Sequence, residues 1–194
     1  MHFDHAGTLD DFPNARVHLQ DLEMQFATGR HMLHQGIRFA FNVEDVVAMV
    51  RRLYQEKVVF HEGDQQLAPG VSVHHLGGHT MGMQVVRVWT QRGWVVLASD
   101  ASHFYANMQT GRPFPVLYNV ADMFAGWRRC AELADSDEHI IPGHDPLTLQ
   151  LYPAVSPELE GIAARLDLPP APMPESVVDA ASTGGSMLFK QASE

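Results

Sequence analysis

The sequence predicts an α/β domain, and three observations carry that prediction. Two capped amphipathic helices are separated by several short β-branched runs, and the length suits one core. The 194 residues are 45% hydrophobic and 19% charged, the composition of a globular domain.

Taken in order, the first element is a short helix from Leu19 to Thr28, stopped by Gly29. A longer helix spans Val43 to Tyr54, with Val43, Val46, Val47, Val50, Leu53 and Tyr54 at helical spacing. Asn42 stands at its N-cap, and Glu44 and Asp45 complement the positive end of the helix dipole. Lys57 to His61, Val71 to Leu76 and Gln84 to Thr90 are β-branched and aromatic, as strands are. Trp94 to Ala98 is continuously apolar, which suits a strand covered on both faces. Gln91-Arg92-Gly93 joins it to the preceding strand as a hairpin. Asn119 caps a helix from Val120 to Ala134, supported by Asp122, with Met123, Phe124, Trp127, Cys130 and Ala131 on one face. His139 to Ile141 forms a short last strand before Pro142-Gly143. The domain is placed at residues 1–165. Pro, Ala, Ser and Gly dominate beyond Pro169, so residues 166–194 are expected to form a flexible tail.

Several function classes fall away. A formal charge of −10 argues against nucleic acid and against an anionic membrane surface. No run of ~18 apolar residues exists to span a bilayer. Cys130 is the sole cysteine, which fits a reducing, cytoplasmic setting without disulfides.

The chemistry gathers where strands should end. His2, Asp4 and His5 fall within four positions, suited to a tight loop, and offer the imidazole and carboxylate donors that zinc accepts. Gly77-Gly78-His79-Thr80-Met81-Gly82 follows one strand, Ser99-Asp100-Ala101 follows the buried one, and Pro142-Gly143-His144-Asp145 follows the last. Singly, His79 reads equally well as a turn residue, Asp100 as a cap and His144 as a loop residue. Their joint order is what singles them out.

That order (H-x-D-H-A-G, G-G-H-T-x-G, S-D-A, I-P-G-H-D) resembles the metallo-β-lactamase superfamily over residues 1 to about 155. Asp100-Ala101-Ser102, Asn107, Pro113-Phe114-Pro115, Arg128-Arg129 and the run from Pro142 to Pro146 are most similar to its N-acyl-homoserine lactonase branch. The resemblance implies an αββα sandwich holding two divalent metal ions, zinc foremost. It implies that His2 and His79 hold one ion, together with a histidine preceding Met1. Asp4, His5 and His144 hold the second, and Asp100 bridges both. On this reading the chain is N-terminally truncated, starting at an internal methionine, with its first strands missing and one metal ligand short.

The function implied is metal-dependent hydrolysis: hydroxide activated between two ions opens a lactone, with N-acyl-homoserine lactone (a quorum-quenching activity) the leading candidate. Asp100 would set the metal separation and Asp4 would shuttle a proton. His103 stands where this branch often carries a tyrosine that hydrogen-bonds substrate, so it is a candidate catalytic donor. Tyr105 could serve instead, and a solvent-facing loop histidine is an equal alternative. The aromatic loop from Ala101 to Tyr118 either lines a substrate pocket or packs under the following helix. His18, His31, His34, His61, His74, His75 and His139 read as surface or packing residues, His74 or His75 lying nearest the site. The expected partner is a small-molecule lactone or ester, with a homodimer left open. A glyoxalase-II-type thioesterase, a pyridoxolactonase-like enzyme, a β-lactamase and an inactive fragment compete with this reading.

Overall fold

The computed structural model describes residues 1–174, and its strands form two sheets. The smaller pairs β1 (Val17–Gln20) with β2 (Val58–His61) in parallel. The larger runs in the order β3 (Gln65–Ala68), β4 (Val71–His75), β5 (Gln84–Thr90), β6 (Gly93–Ser99), β7 (Ile140–Pro142). Its first four strands are antiparallel, and β7 joins β6 in parallel. The helices are α1 (Phe3–Ala6), α2 (Asp21–Thr28), α3 (Gln35–Arg38), α4 (Val43–Tyr54), α5 (Tyr105–Thr110), α6 (Val120–Leu133) and α7 (Leu147–Leu151).

Side-chain alternation on β6 builds the core. Val96 and Ala98, with Val85 of β5, pack against Met123, Trp127 and Cys130 of α6. Val95 and Leu97 face the other way, against Ile141, Leu151 and Tyr152. The apolar run is therefore covered on both faces, as its composition predicts. The two sheets are laced together by paired amides: Gln20 Nε2 donates to Gln84 Oε1 at 2.9 Å, and Gln84 Nε2 donates to the His18 carbonyl at 2.9 Å. With α4 packed on β2 and α6 on the large sheet, the layers follow the αββα order, the second sheet being two strands wide. Among the described residues, no helix is long and apolar enough to cross a membrane.

Local expectations meet the structure unevenly. The Asn42 and Asn119 caps form as predicted, accepting from Glu44 N and from Ala121 and Asp122 N. The burial of α4 differs, because Met49 and Arg52 are its buried residues while Val43 and Tyr54 are 69% and 87% exposed. Two strands offer too little cover for the whole predicted face, and the buried Arg52 donates to the Leu9 carbonyl and, at 2.7 Å, to Asp10 Oδ1. Residues 17–20, partly assigned to a helix, are strand β1, because pairing with β2 outweighs local propensity. Strand β3 went unpredicted, being short, polar and irregular in register. Of the expected tail, Leu166 and Met173 pack against the Val95–Tyr152 cluster, and Ala171 N bonds the Leu151 carbonyl at 2.7 Å. These contacts place residues up to 173 on the body, contrary to a free tail from 166. Residues 175–194 lie outside the described residues.

Candidate metal centre

Four segments distant in the chain meet around Asp100, which is 3% exposed. The chain leaves β6 through Ser99, whose φ of 46° is left-handed, a strained conformation for serine. That turn is clamped: Gly143 N donates to the Ser99 and Ser102 carbonyls, both at 3.0 Å, and His144 N donates to the His103 carbonyl at 3.0 Å. Trp127 of the α6 core fixes it from below, its indole N–H donating to the Ala101 carbonyl. A side chain at Gly143 would place Cβ 2.7 Å from the Ser99 carbonyl carbon, so only glycine allows the two segments to close.

Imidazoles crowd the carboxylate that results. His5 Nε2 lies 2.7 Å from Asp100 Oδ2, while His144 Nε2 and His103 Nε2 lie 2.8 and 2.9 Å from Oδ1. His79 Nε2 is 3.9 Å from the same oxygen and 2.9 Å from His2 Nδ1. Asp4 Oδ2 stands 3.7 Å from His5 Nε2 and 3.6 Å from His144 Nε2. All seven residues singled out in the sequence therefore lie in one cluster. Asp4 and His5 do so on the single turn α1 rather than on an irregular loop, closed by Gly7 N to the Phe3 carbonyl at 2.9 Å.

Electrostatics follow from this crowding. Burial would raise the Asp100 carboxyl, but the imidazoles of His103 and His5 outweigh it and hold the group ionised, well below the usual carboxylate range. The bond to Asp100 raises His5 above its ordinary value, against the opposing effect of burial. Burial, followed by the neighbouring His79, pushes His2 down to about 3, so His2 stays neutral. Burial likewise lowers His79. The neutral forms favoured at His2 and His79, beside an ionised carboxylate, are the protonation states a metal requires, whereas His5 would have to give up the proton that Asp100 favours.

The orientation of His79 is also specified. Its Nδ1–H donates to the Val116 carbonyl at 2.6 Å, which leaves the Nε2 lone pair facing the cluster. The Tyr118 and Asn119 amides both donate to the Gly78 carbonyl at 2.9 Å, holding residues 116–119 against the His79 turn. Two donor triads result, each with ligand atoms within 4.8 Å of one another: exposed Asp4, His5 and His144, and more enclosed His79, Asp100 and His103. Nitrogen and carboxylate oxygen in these proportions fit zinc and its neighbours.

Three sequence expectations change here. His103 does not stand out in solution: its ring stacks on Phe114 at 3.4 Å with planes 6° apart, and its Nε2 lies 2.9 Å from Asp100 Oδ1. Tyr105 cannot substitute for it, being buried against Val95 and Tyr152 on the far face of the sheet. The loop from Ala101 to Tyr118 sends Tyr105, Met108 and Phe114 into the core, all three buried. The apolar concavity lies elsewhere, a groove of about 800 Å³ beside Phe3, lined also by Met32, Phe39, Phe41, Val43 and Val46. Val43 and Val46 were legible only as the apolar face of α4, and the groove itself was not, because Phe3, Met32, Phe39 and Phe41 join them from segments without a recognisable motif. His74 and His75 are not in the cluster; they bond Asp64 and the Met81 carbonyl.

No family model matches the chain. An N-acyl homoserine lactonase of Bacillus thuringiensis is 29% identical over 147 residues, covering 75% of this chain and 53% of its own length. A solved N-acyl homoserine lactone hydrolase, with the product N-hexanoyl-L-homoserine at its catalytic metal centre, superposes with a TM-score of 0.57 at 28% identity. That match covers 72% of this chain and 50% of the other. A hydrolase of the beta lactamase superfamily, 17% identical, shares the fold at a TM-score of 0.53 over 69% of this chain and 49% of its own. The chain thus spans 40% to 53% of the length of the curated relatives it matches.

Proposed function

We propose that this chain, which has the metallo-β-lactamase fold and is a relative of the N-acyl homoserine lactonases, carries the metal-centred part of a hydrolase that opens lactone rings. The observation supporting this most directly is the convergence of His5, His144 and His103 on the buried carboxylate of Asp100, within 2.9 Å. Asp4, His5 and His144 would hold one divalent cation, His2 and His79 the other, with Asp100 shared between them. Such a cation pair, zinc foremost, lowers the pKa of water towards ~7 and polarises an ester carbonyl.

The chain's own groups would supply the rest. Asp100, fixed by the clamped Ser99 turn, sets the spacing of the two donor groups. Asp4 is 40% exposed at the open side, placed to take the proton released as water adds to the carbonyl. It would return that proton to the ring oxygen as the acyl C–O bond breaks, giving an alcohol and a carboxylic acid, which then loses its proton to solvent. The apolar groove is lined by Phe3, the chain neighbour of Asp4, and would receive an acyl chain.

The test is hydrolysis by the zinc-loaded chain of N-acyl homoserine lactones of increasing acyl length, beside thioester and β-lactam panels. The proposal expects lactone opening that is abolished by chelation and improves with chain length. Turnover confined to thioesters or β-lactams, or no turnover above the chelated control, would overturn it.

A further inference from the structure

We infer that His103 is itself a metal ligand, completing with His79 and Asp100 the enclosed cation site; this rests on reading the cluster as a metal centre. Three independent features of residue 103 lead there. First, its Nε2 is buried and has no hydrogen-bond partner among the described residues, although Asp100 Oδ1 is 2.9 Å away. At that separation a hydrogen bond fails only through direction, so the ring nitrogen is not pointed along a bond to this oxygen. A buried imidazole nitrogen left without a partner is unfavourable and calls for an explanation.

Second, the ring is held where it is by its neighbours. It lies flat on Phe114 with ring centroids 3.4 Å apart, and its peptide carbonyl is held by His144 N at 3.0 Å. Third, the neighbouring donors are directed to the same place. His79 Nε2 is freed as a lone pair by the bond from its Nδ1 to Val116, and the donor atoms of His79, Asp100 and His103 all lie within 4.8 Å. Two imidazoles and a carboxylate are a complete protein set for a zinc-type ion that keeps a further position.

His2 stands beside this triad, its Nδ1 2.9 Å from His79 Nε2, and would become a fourth ligand once the proton it shares with that nitrogen moves off Nδ1. The two cation sites would then be unequal. The enclosed one has up to four protein donors and exchanges slowly, whereas the exposed Asp4–His5–His144 site keeps open positions and is the labile one.

The experiment is Co(II) titration of the metal-stripped full chain, followed by absorption spectroscopy, beside His103→Ala and His103→Cys. The expected result is two Co(II) per parent chain, one of them bound about 10- to 100-fold more weakly, or lost, in His103→Ala. His103→Cys should show a near-ultraviolet thiolate-to-cobalt charge-transfer band that the parent lacks, since the thiol of Cys130 is sealed in the core. That band is a gain of signal, so it does not depend on how well the alanine variant folds. Two Co(II) retained in His103→Ala at parental affinity, or cobalt-loaded His103→Cys without the band, would overturn the inference. A parent chain that binds no Co(II) would overturn it together with the metal centre. Cobalt results as expected, with no lactone opened, would overturn only the lactonase reading.

Discussion

Two buried histidine assemblies in this molecule look alike in composition and differ in saturation. At His74, both ring nitrogens are used: Nδ1 bonds Asp64 Oδ2 at 2.7 Å and Nε2 bonds Ser72 Oγ at 2.9 Å. Asp64 in turn accepts from Arg129 of α6 at 3.0 Å and from His75 N at 3.2 Å. The chain Ser72–His74–Asp64–Arg129 runs from the large sheet to α6 and pins the one to the other. At Asp100, several imidazoles compete for one carboxylate, and the His103 nitrogen has no partner. A saturated network holds two elements together; an unsaturated, convergent one has capacity for something else.

Asp100→Asn is the most severe way to probe this difference. It should lower lactone turnover by ~10³-fold or more and release both cations, read by metal analysis after gel filtration. Full cation content in that variant would break the comparison at its root. Gly82→Ala should come next, since its Cβ would lie 2.2 Å from Glu23 N, a backbone atom that cannot yield. We expect a loss of about 3 kcal/mol in urea unfolding, because relieving such a clash moves the whole His79 turn.

His74→Ala tests the opposite arm. Leaving Ser72 and Asp64 unpaired should destabilise the fold by about 1–3 kcal/mol, with cation stoichiometry unchanged. Loss of a cation there would mean that the two assemblies are not distinct. The smallest effect is expected at a third assembly, the stacked pair in which His18 Nδ1 meets His61 Nε2 at 2.8 Å. Burial, then the charges of His61 and Arg16, depress His18 below its ordinary 6.5. The unfolded chain therefore binds the proton first, and this contribution to stability is present above pH 6.5 and lost as the pH falls through the lowered value. The urea midpoint should drop on acidification from pH 7.5 to 5.5, and less so in His18→Asn; equal slopes would remove His18 from the account.

How legible all this was in the sequence depended on the range of the interaction. Asn42 and Asn119 could be read because a cap bonds amides two or three residues away. The β6 run could be read because its composition already states that both faces are covered. The four segments carrying the candidate ligands were legible as an ordered set, and the structure brings them together. Position 103 was legible only as a histidine in a suggestive place. Its stacking on Phe114 and its approach to Asp100 depend on a turn at Ser99 that no residue type announces. The buried face of α4 and strand β1 were misread for a related reason, since both are decided by the narrow second sheet rather than by local pattern.

The carbonyl that steers His79 belongs to the main chain at Val116. No exchange of the valine side chain can delete it, so the tautomer of that imidazole is written into the path of the polypeptide and not into an amino-acid identity. Variation at position 116 would thus leave the wiring intact. Only a change that redirects the peptide plane could disconnect it; a backbone ester there would keep the carbonyl and merely make it a weaker acceptor.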